Sequence, residues 1–195
     1  KLHMTVSLTI RNAEVVLPGS IQRVDVSVID GRIHAIGSGI PEVGEVIDAE
    51  GLTLLPGMID PQVHFREPGA AQKEDLHSGS CAAAAGGITS FLDMPNNAPP
   101  VITRERMAEK KRLAAEKSVV NYGFFMGATP DNLEELNAVE NVCGIKIFMG
   151  SSTGDLLVDN PQVLEKIFST GSRLIAVHAE DEAVLKENIE LLKHI

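Results

Sequence analysis

The chain has 195 residues, 44% of them hydrophobic, and its mean hydropathy is +0.06. These values are ordinary for a globular protein with a buried core, and no apolar run reaches the roughly 18 residues that a membrane-spanning helix needs. A net charge of −10 argues against nucleic acid or an anionic membrane as the main partner, and an aromatic content of 4% argues against an aromatic-lined polymer groove.

The first residues and the cysteines give expectations about origin and compartment. Residues 1–3 are interpreted as a cloning remnant that precedes a native Met4, and no signal-peptide core follows them. Cys81 and Cys143 are isolated and form no CxxC pattern, which is typical of core thiols in a reducing compartment. We therefore expect a cytoplasmic protein.

Residues 4–53 contain short β-like segments and are predicted to form part of a small β-sandwich domain. Asp30-Gly31 lies between alternating apolar and polar stretches, which is a strong hairpin signal. Asp25, His34 and Asp48 are expected to be solvated strand or turn residues.

From residue 54 to 195, apolar strand-like runs alternate with helical patterns, which is typical of a parallel sheet in an α/β fold. Five strands are predicted within residues 54–65, 88–95, 119–128, 142–150 and 173–180. Five βα units fit either a doubly wound sheet or an incomplete (β/α)8 barrel of the TIM type. In both folds the chemistry lies at the carboxyl ends of the strands.

The first of these strands ends in a crowded polar motif, "DPQVHFREPG" at residues 60–69. Two metal ligands on one face of a strand should be two positions apart, because strand side chains alternate. Gln62 occupies the position two before His64, and an amide is a poor ligand. Arg66 follows His64 by two, and Asn96 lies at the end of the second strand.

The fourth strand carries Lys146 among apolar neighbours in "GIKIFMG". Burial favours the neutral amine, which can act as a Schiff-base nucleophile or react with carbon dioxide to give an anionic carbamate. The alternative is a lysine that extends from the strand end into water.

Histidines complete the set of candidate ligands. His178 follows the apolar fifth strand, and by itself it fits a hydrogen-bonded core histidine as well as a metal ligand. His77 and His194 are interpreted as surface residues. Imidazoles on the first and fifth strands, with a lysine on the fourth, would converge at a barrel mouth in a set that suits zinc or a similar divalent ion.

Four stretches in order resemble the amidohydrolase superfamily, and within it the dihydroorotase branch: "LLPGMIDPQVHFREPG", "KEDLHSGSCAAAAGGITSFLDMPNN", "GIKIFMGSSTGDLLVD" and "AVHAEDE". The resemblance implies a barrel beside a small β-domain, with two divalent metals bridged by a carboxylated lysine. Carried over to this sequence, it implies His64, Lys146 and His178 as ligands, with Lys146 also catalytic. Arg66 and Asn96 match the residues that bind the carboxylate of dihydroorotate, a task that suits a planar guanidinium.

The sequence departs from that family pattern in two ways. Gln62 stands where the pattern has the leading histidine of the strand-one pair, so this metal position is expected to be weakened. A closed barrel needs about 250 residues, and residues 54–195 supply only five of its eight strands. The family's strand-six histidine and strand-eight aspartate are not in this chain, which is therefore expected to be inactive alone and without metal, whereas the full-length protein would hold up to two ions bridged by carboxylated Lys146.

The resemblance implies a dihydroorotase that interconverts N-carbamoyl-aspartate and dihydroorotate in pyrimidine biosynthesis. An allantoinase or hydantoinase is an alternative within the same enzyme class. A catalytically silent homologue that scaffolds aspartate transcarbamoylase is the alternative outside it, and Gln62 favours that reading. The expected partners are the small-molecule substrate and a second copy of the chain, because exposed strand edges favour association.

Overall fold

The computed structural model describes residues 7–150 and 156–193, and its packing divides the chain into two compact units, Lys1–Pro56 and Gly57–Ile195. The expected remnant at residues 1–3 and the side chain of His194 lie outside the described residues. Within the described ranges, no helix is long and apolar enough to cross a bilayer.

The first unit is one mixed sheet with the strand order β3-β2-β1-β4, and β5 also pairs with β1. Its strands are β1 Leu8–Leu17, β2 Ser20–Ile29, β3 Arg32–Gly37, β4 Glu45–Asp48 and β5 Thr53–Leu54. The predicted hairpin is confirmed, since β2 and β3 pair antiparallel and both turn residues, Asp30 and Gly31, have positive φ.

The expectation that Asp25 is solvated was wrong. Asp25 is only 6% exposed, and its two carboxylate oxygens accept the backbone N–H groups of Asn12 at 3.0 Å and Gly39 at 3.2 Å. Arg11 also lies 3.7 Å from it. The carboxylate therefore joins the bend within β1 to the turn that follows β3.

The second unit is a parallel five-stranded sheet in the order β10-β9-β8-β7-β6, with helices between successive strands. Its elements are β6 Met58–Val63, α1 Leu76–Ala85, β7 Ile88–Asp93, α2 Arg104–Lys117, β8 Asn121–Gly127, α3 Leu133–Ala138, β9 Gly144–Phe148, α4 Pro161–Thr170, β10 Ile175–His178 and α5 Glu182–Leu192. Each strand neighbours the next along the chain, so the prediction of an incomplete barrel with five strands is confirmed.

The first predicted barrel strand was placed too early, at residues 54–65. Leu54 belongs to β5 of the first unit, where Val15 is its partner, whereas β6 begins only at Met58. Pro56 separates the two strands, and a proline cannot donate a ladder hydrogen bond. The structure thus changes from one unit to the other after Pro56.

The main core of the second unit lies between its sheet and its helices. Alternate residues of the strands face the helices there, and the cluster includes Phe91, Phe124, Met126, Ile145 and Ile147. Since successive strand residues point to opposite faces, the residues between these lie on the other face of the sheet.

Candidate functional site

Lys146 lies on the face of the sheet that is turned away from the helices. It stands between Ile145 and Ile147, which both pack in the main core. In the parallel registers Lys146 pairs with Ala176, and Phe148 pairs with His178. The alternation therefore places Lys146, Phe148 and His178 on one face, near the carboxyl ends of β9 and β10.

The burial expected for Lys146 is confirmed, because this residue is only 2% exposed. Its amine Nζ lies 5.1 Å from the centroid of the Phe148 ring. Burial lowers the pKa of the Lys146 amine below its ordinary value. The reading of a side chain that extends into water is thus wrong, and a larger share of the uncharged amine is available for reaction.

His178 also lies near the Phe148 ring. The imidazole and the Phe148 ring have centroids 6.2 Å apart, and the imidazole side chain is 40% exposed. Its Nε2 atom lies 3.2 Å from a carboxylate oxygen of Glu180. Both candidate ligand groups of β9 and β10 therefore lie near the Phe148 ring.

At the end of β6, Gln62 and His64 also face away from the helices. Val63 pairs with Asp93 of β7 and packs against the main core, so its two neighbours point to the opposite face. Gln62 is exposed, and its backbone N–H donates to Asp60 at 3.0 Å. The spacing that predicted a shared face for Gln62 and His64 thus agrees with the register of the strands.

His64 is held by Asn96 of the neighbouring strand end. Its Nδ1 atom lies 2.7 Å from Oδ1 of Asn96. An amide oxygen only accepts hydrogen bonds, so in this orientation of the Asn96 amide Nδ1 of His64 is the donor, and in a neutral imidazole the lone pair then lies on Nε2. The Nδ2 amine of Asn96 then remains as a donor, and Nε2 of His64 as a potential metal ligand.

The loops that carry Arg66 and Asn96 touch each other. Gly69 has φ +114°, and a Cβ atom at this position would lie 2.2 Å from the carbonyl oxygen of Ala98. Only glycine permits that approach. Arg66 is exposed in the first of these loops, so a ligand can reach its guanidinium.

Sequence reasoning missed a polar cluster beneath these loops, made of the buried Asp93 and Lys110 and the half-buried Asn97. Asp93 and Lys110 have no exposed surface and form an ion pair of 2.8 Å. Burial raises the pKa of the Asp93 carboxyl and lowers the pKa of the Lys110 amine, and each charge opposes the shift of the other. Helical spacing could have found Lys110, which lies on the same buried side of α2 as Met107 and Ala114.

In the described parts of the chain, no three histidine, cysteine or acidic side chains are close enough to hold a metal ion. The donors that are present nevertheless suit zinc: Nε2 of His64 carries a lone pair, Lys146 is a buried amine of lowered pKa, and His178 borders the same aromatic ring. These three side chains thus lie on one face of the sheet and would suit part of a ligand set.

Comparison with known proteins assigns this arrangement to a family. The family model described as "Amidohydrolase family" matches residues 53–188, which contain all the candidate site residues. The chain belongs to the amidohydrolase family. Its members among the curated relatives include a dihydroorotase from Methanosarcina acetivorans, 39% identical over 94% of this chain, and an allantoinase from Deinococcus radiodurans, 38% identical over 91% of it.

Solved structures show the same fold within the family. The L-hydantoinase (dihydropyrimidinase) from Arthrobacter aurescens superposes with a TM-score of 0.87 at 28% identity and covers 95% of this chain. This chain spans 41% of each of the two curated relatives and 43% of the hydantoinase. Its relatives thus act on different cyclic amides, and similarity alone selects the cyclic amidase branch of the family rather than one member of it.

Proposed function

We propose that the complete protein is a dihydroorotase, which interconverts N-carbamoyl-aspartate and dihydroorotate. The bond between His64 and Asn96 carries this proposal. It leaves the amine of Asn96 as a donor, in a loop that touches the loop carrying the exposed Arg66. Two donor groups at one strand edge suit a carboxylate, which dihydroorotate carries and allantoin and hydantoin do not.

Some residues of this chain would bind the substrate, and others would take part in the reaction. Arg66 and Asn96 would hold the substrate carboxylate and so orient the ring amide. His64, Lys146 and His178 would hold divalent metal, with Gln62 as a weak fourth donor, and Lys146 would serve as a carbamate. When bound, such an ion would supply Lewis acidity toward the amide carbonyl and make water a better nucleophile at neutral pH.

Substrate comparison on the complete protein tests the proposal. We expect turnover of dihydroorotate to exceed that of allantoin and hydantoin. Replacing Arg66 by Gln should raise KM for dihydroorotate by at least roughly tenfold, because a charge-assisted bidentate contact is lost. Arg32→Gln, at an exposed arginine of the first unit, is the matched control and should leave KM unchanged.

A hydantoinase or allantoinase activity is the second candidate. The allantoinase at 38% identity and the superposition on the L-hydantoinase favour it. In that case the neutral ring substrates would be turned over faster than dihydroorotate, and Arg66→Gln would affect neither of them. That outcome would replace the proposed substrate while retaining the chemistry of a cyclic amidase.

A scaffold without catalysis is the third candidate, and Gln62 is the observation that favours it. Such a protein would keep the fold in order to bind a partner, and aspartate transcarbamoylase is the partner we propose for it, with a homodimer as the expected assembly. Elemental analysis of the complete protein separates this candidate from the enzymes. Protein that binds no divalent metal after incubation with zinc and bicarbonate would support the scaffold.

A further inference from the structure

The polar cluster of Asp93, Asn97 and Lys110 lies on the helix-facing side of the sheet, beneath the loops that carry Arg66 and Asn96. The amine of Lys110 has three donors, and three acceptors surround it: Asp93 at 2.8 Å, the carbonyl oxygen of Met94 at 2.9 Å and Oδ1 of Asn97 at 2.7 Å. An ammonium group matches this arrangement, since it donates three bonds and accepts none.

The bond from Lys110 fixes the orientation of the Asn97 amide. Because Oδ1 of Asn97 faces the ammonium, its amine points the other way and donates to the carbonyl oxygens of Phe65 at 3.2 Å and Glu67 at 3.1 Å. Asp93 completes the set, because its other oxygen accepts the backbone N–H of Phe65 at 3.0 Å. The cluster therefore binds the main chain on both sides of Arg66.

The same cluster also adjoins Asn96, which directly precedes Asn97 in the chain. A buried ion pair contributes little net stability compared with apolar residues of the same volume, so filling space does not account for it. The ion pair instead orients its neighbours. The charged amine of Lys110 determines which way the Asn97 amide points, and the amide in turn determines the position of the backbone at Phe65 and Glu67.

We propose that the cluster of Asp93, Asn97 and Lys110 is a positioning device that sets the spacing between Arg66 and Asn96 for a substrate carboxylate. This inference rests on the proposed dihydroorotase function, because only an acidic substrate uses both groups. The three residues act through the main chain and touch no substrate. Their loss should therefore weaken binding of an acidic ring more than binding of a neutral ring.

Asn97→Ala in the complete protein tests this role, because it removes the bonds to Phe65 and Glu67 and leaves the buried ion pair in place. We expect KM for dihydroorotate to rise roughly tenfold with kcat within about threefold, and KM for the neutral ring dihydrouracil to change less than about twofold. Amide exchange of residues 65–70 should accelerate roughly tenfold, since loosening the loop opens its backbone hydrogen bonds.

Two further variants test whether the lost hydrogen bonds of Asn97 cause these effects. Asn97→Asp keeps the shape and the bond from Lys110 but cannot donate, so it should reproduce the result of Asn97→Ala. Asn121→Ala is the matched control: this exposed asparagine also donates to a backbone carbonyl, that of Thr89 at 3.2 Å, but at the opposite end of the strands. It should change neither KM nor the exchange of residues 65–70.

The outcomes separate the two proposals. Equal increases in KM for dihydroorotate and dihydrouracil, or unchanged exchange of residues 65–70 in both Asn97 variants, would overturn the positioning role. If the unmutated protein turns over dihydrouracil but not dihydroorotate, the proposed function fails, and the positioning of a carboxylate clamp fails with it. If the amide exchange of residues 65–70 is unchanged while dihydroorotate is still turned over, only the positioning role is rejected.

Discussion

Lys110 is the charged residue whose removal should cost most stability. It has no exposed surface and neutralises Asp93, which is equally buried. Lys110→Met would leave the carboxylate without its counter-charge, and breaking a buried pair in this way costs about 3–5 kcal/mol. We expect the free energy of unfolding of the complete protein, measured by urea denaturation, to fall by that amount.

The adjacent lysine provides a control for that experiment. Lys111 donates to the carbonyl oxygen of Glu140 at 3.0 Å at an exposed site, so Lys111→Met should change the free energy of unfolding by less than about 1 kcal/mol. Adding Asp93→Asn to Lys110→Met removes the orphaned charge and should recover part of the loss. Equal destabilisation by the two single variants would show that burial of the pair has been misjudged.

Gln62 should limit the metal content of the complete protein. It is exposed on the same face as His64, and its amide oxygen is a weaker donor to a zinc-like ion than imidazole. Gln62→His should therefore raise both the metal bound at limiting supply, measured by elemental analysis, and the turnover of dihydroorotate. Gln62→Asn, which retains an amide, is the control; two tightly held metals in the unmutated protein would contradict this expectation.

The burial of single residues could be predicted from sequence only where the neighbouring residues form a clear pattern. Lys146 stands between isoleucines in a short strand, so its burial followed from pattern. Lys110 lies in the charged helix "RERMAEKKRLAAEK", where adjacent lysines look alike and only the phase of the helix distinguishes the buried one. Asp25 was misread because the backbone N–H groups that it binds belong to residues far away in sequence.

At the scale of elements, the start of α1 should respond to acid. Asp75 caps this helix: it accepts the N–H of Ser78 at 2.7 Å, and that bond is the main reason why the pKa of Asp75 is lowered. A lowered pKa in the folded state stabilises the protein above the unfolded pKa, near 3.8, and the contribution is lost as pH falls through the folded value.

Asp75→Asn tests this dependence, because asparagine also caps helices but does not titrate. We expect the thermal midpoint of the unmutated protein to exceed that of the variant at pH 7, and the difference to disappear as pH falls through the lowered folded pKa of Asp75. Asn160→Asp is the corresponding exchange at the cap of α4. Here the variant carries the carboxylate, so it should have the higher thermal midpoint at pH 7 and lose that difference as pH falls. A difference that is constant from pH 7 to pH 3 would exclude the Asp75 carboxylate as its source.

Elements were predictable where local chemistry determines them. Asp30-Gly31 specifies its hairpin because both residues adopt positive φ with little strain. The division between β5 and β6 was not predictable from hydropathy, because "LTLLPGMI" is mostly apolar while its two halves pair with different sheets. Which sheet a short strand joins depends on partners that are distant in sequence.

At the scale of the whole molecule, alternation of strands and helices was enough to predict the parallel sheet. It could not decide between a doubly wound sheet and a barrel, because both have the same alternation. The consecutive order β10-β9-β8-β7-β6 settles this, since a doubly wound sheet reverses direction at a switch point. Only the family motifs favoured the barrel beforehand.

The edges of this sheet should govern how the 195-residue chain behaves by itself. Among the described residues, β6 and β10 each pair on one side only, and large apolar side chains near them are exposed, such as Ile59 and Leu174, each at 65%. Unpaired strand edges with exposed apolar side chains promote association with other copies of the chain. We expect light scattering of the isolated chain to show dimers or larger species that grow with concentration.

Charged residues on those edges should suppress that association. Ile59→Lys together with Leu174→Lys places a charge on each edge, which opposes pairing with another chain. The double variant should shift the isolated chain toward monomer, whereas Ile21→Lys, at an equally exposed isoleucine (66%) of β2, a strand that pairs on both sides, should not. In the complete protein further strands would cover both edges, so the pair of lysines should there lower stability instead. A monomeric unmutated chain at all concentrations would show that these edges are protected by means other than pairing.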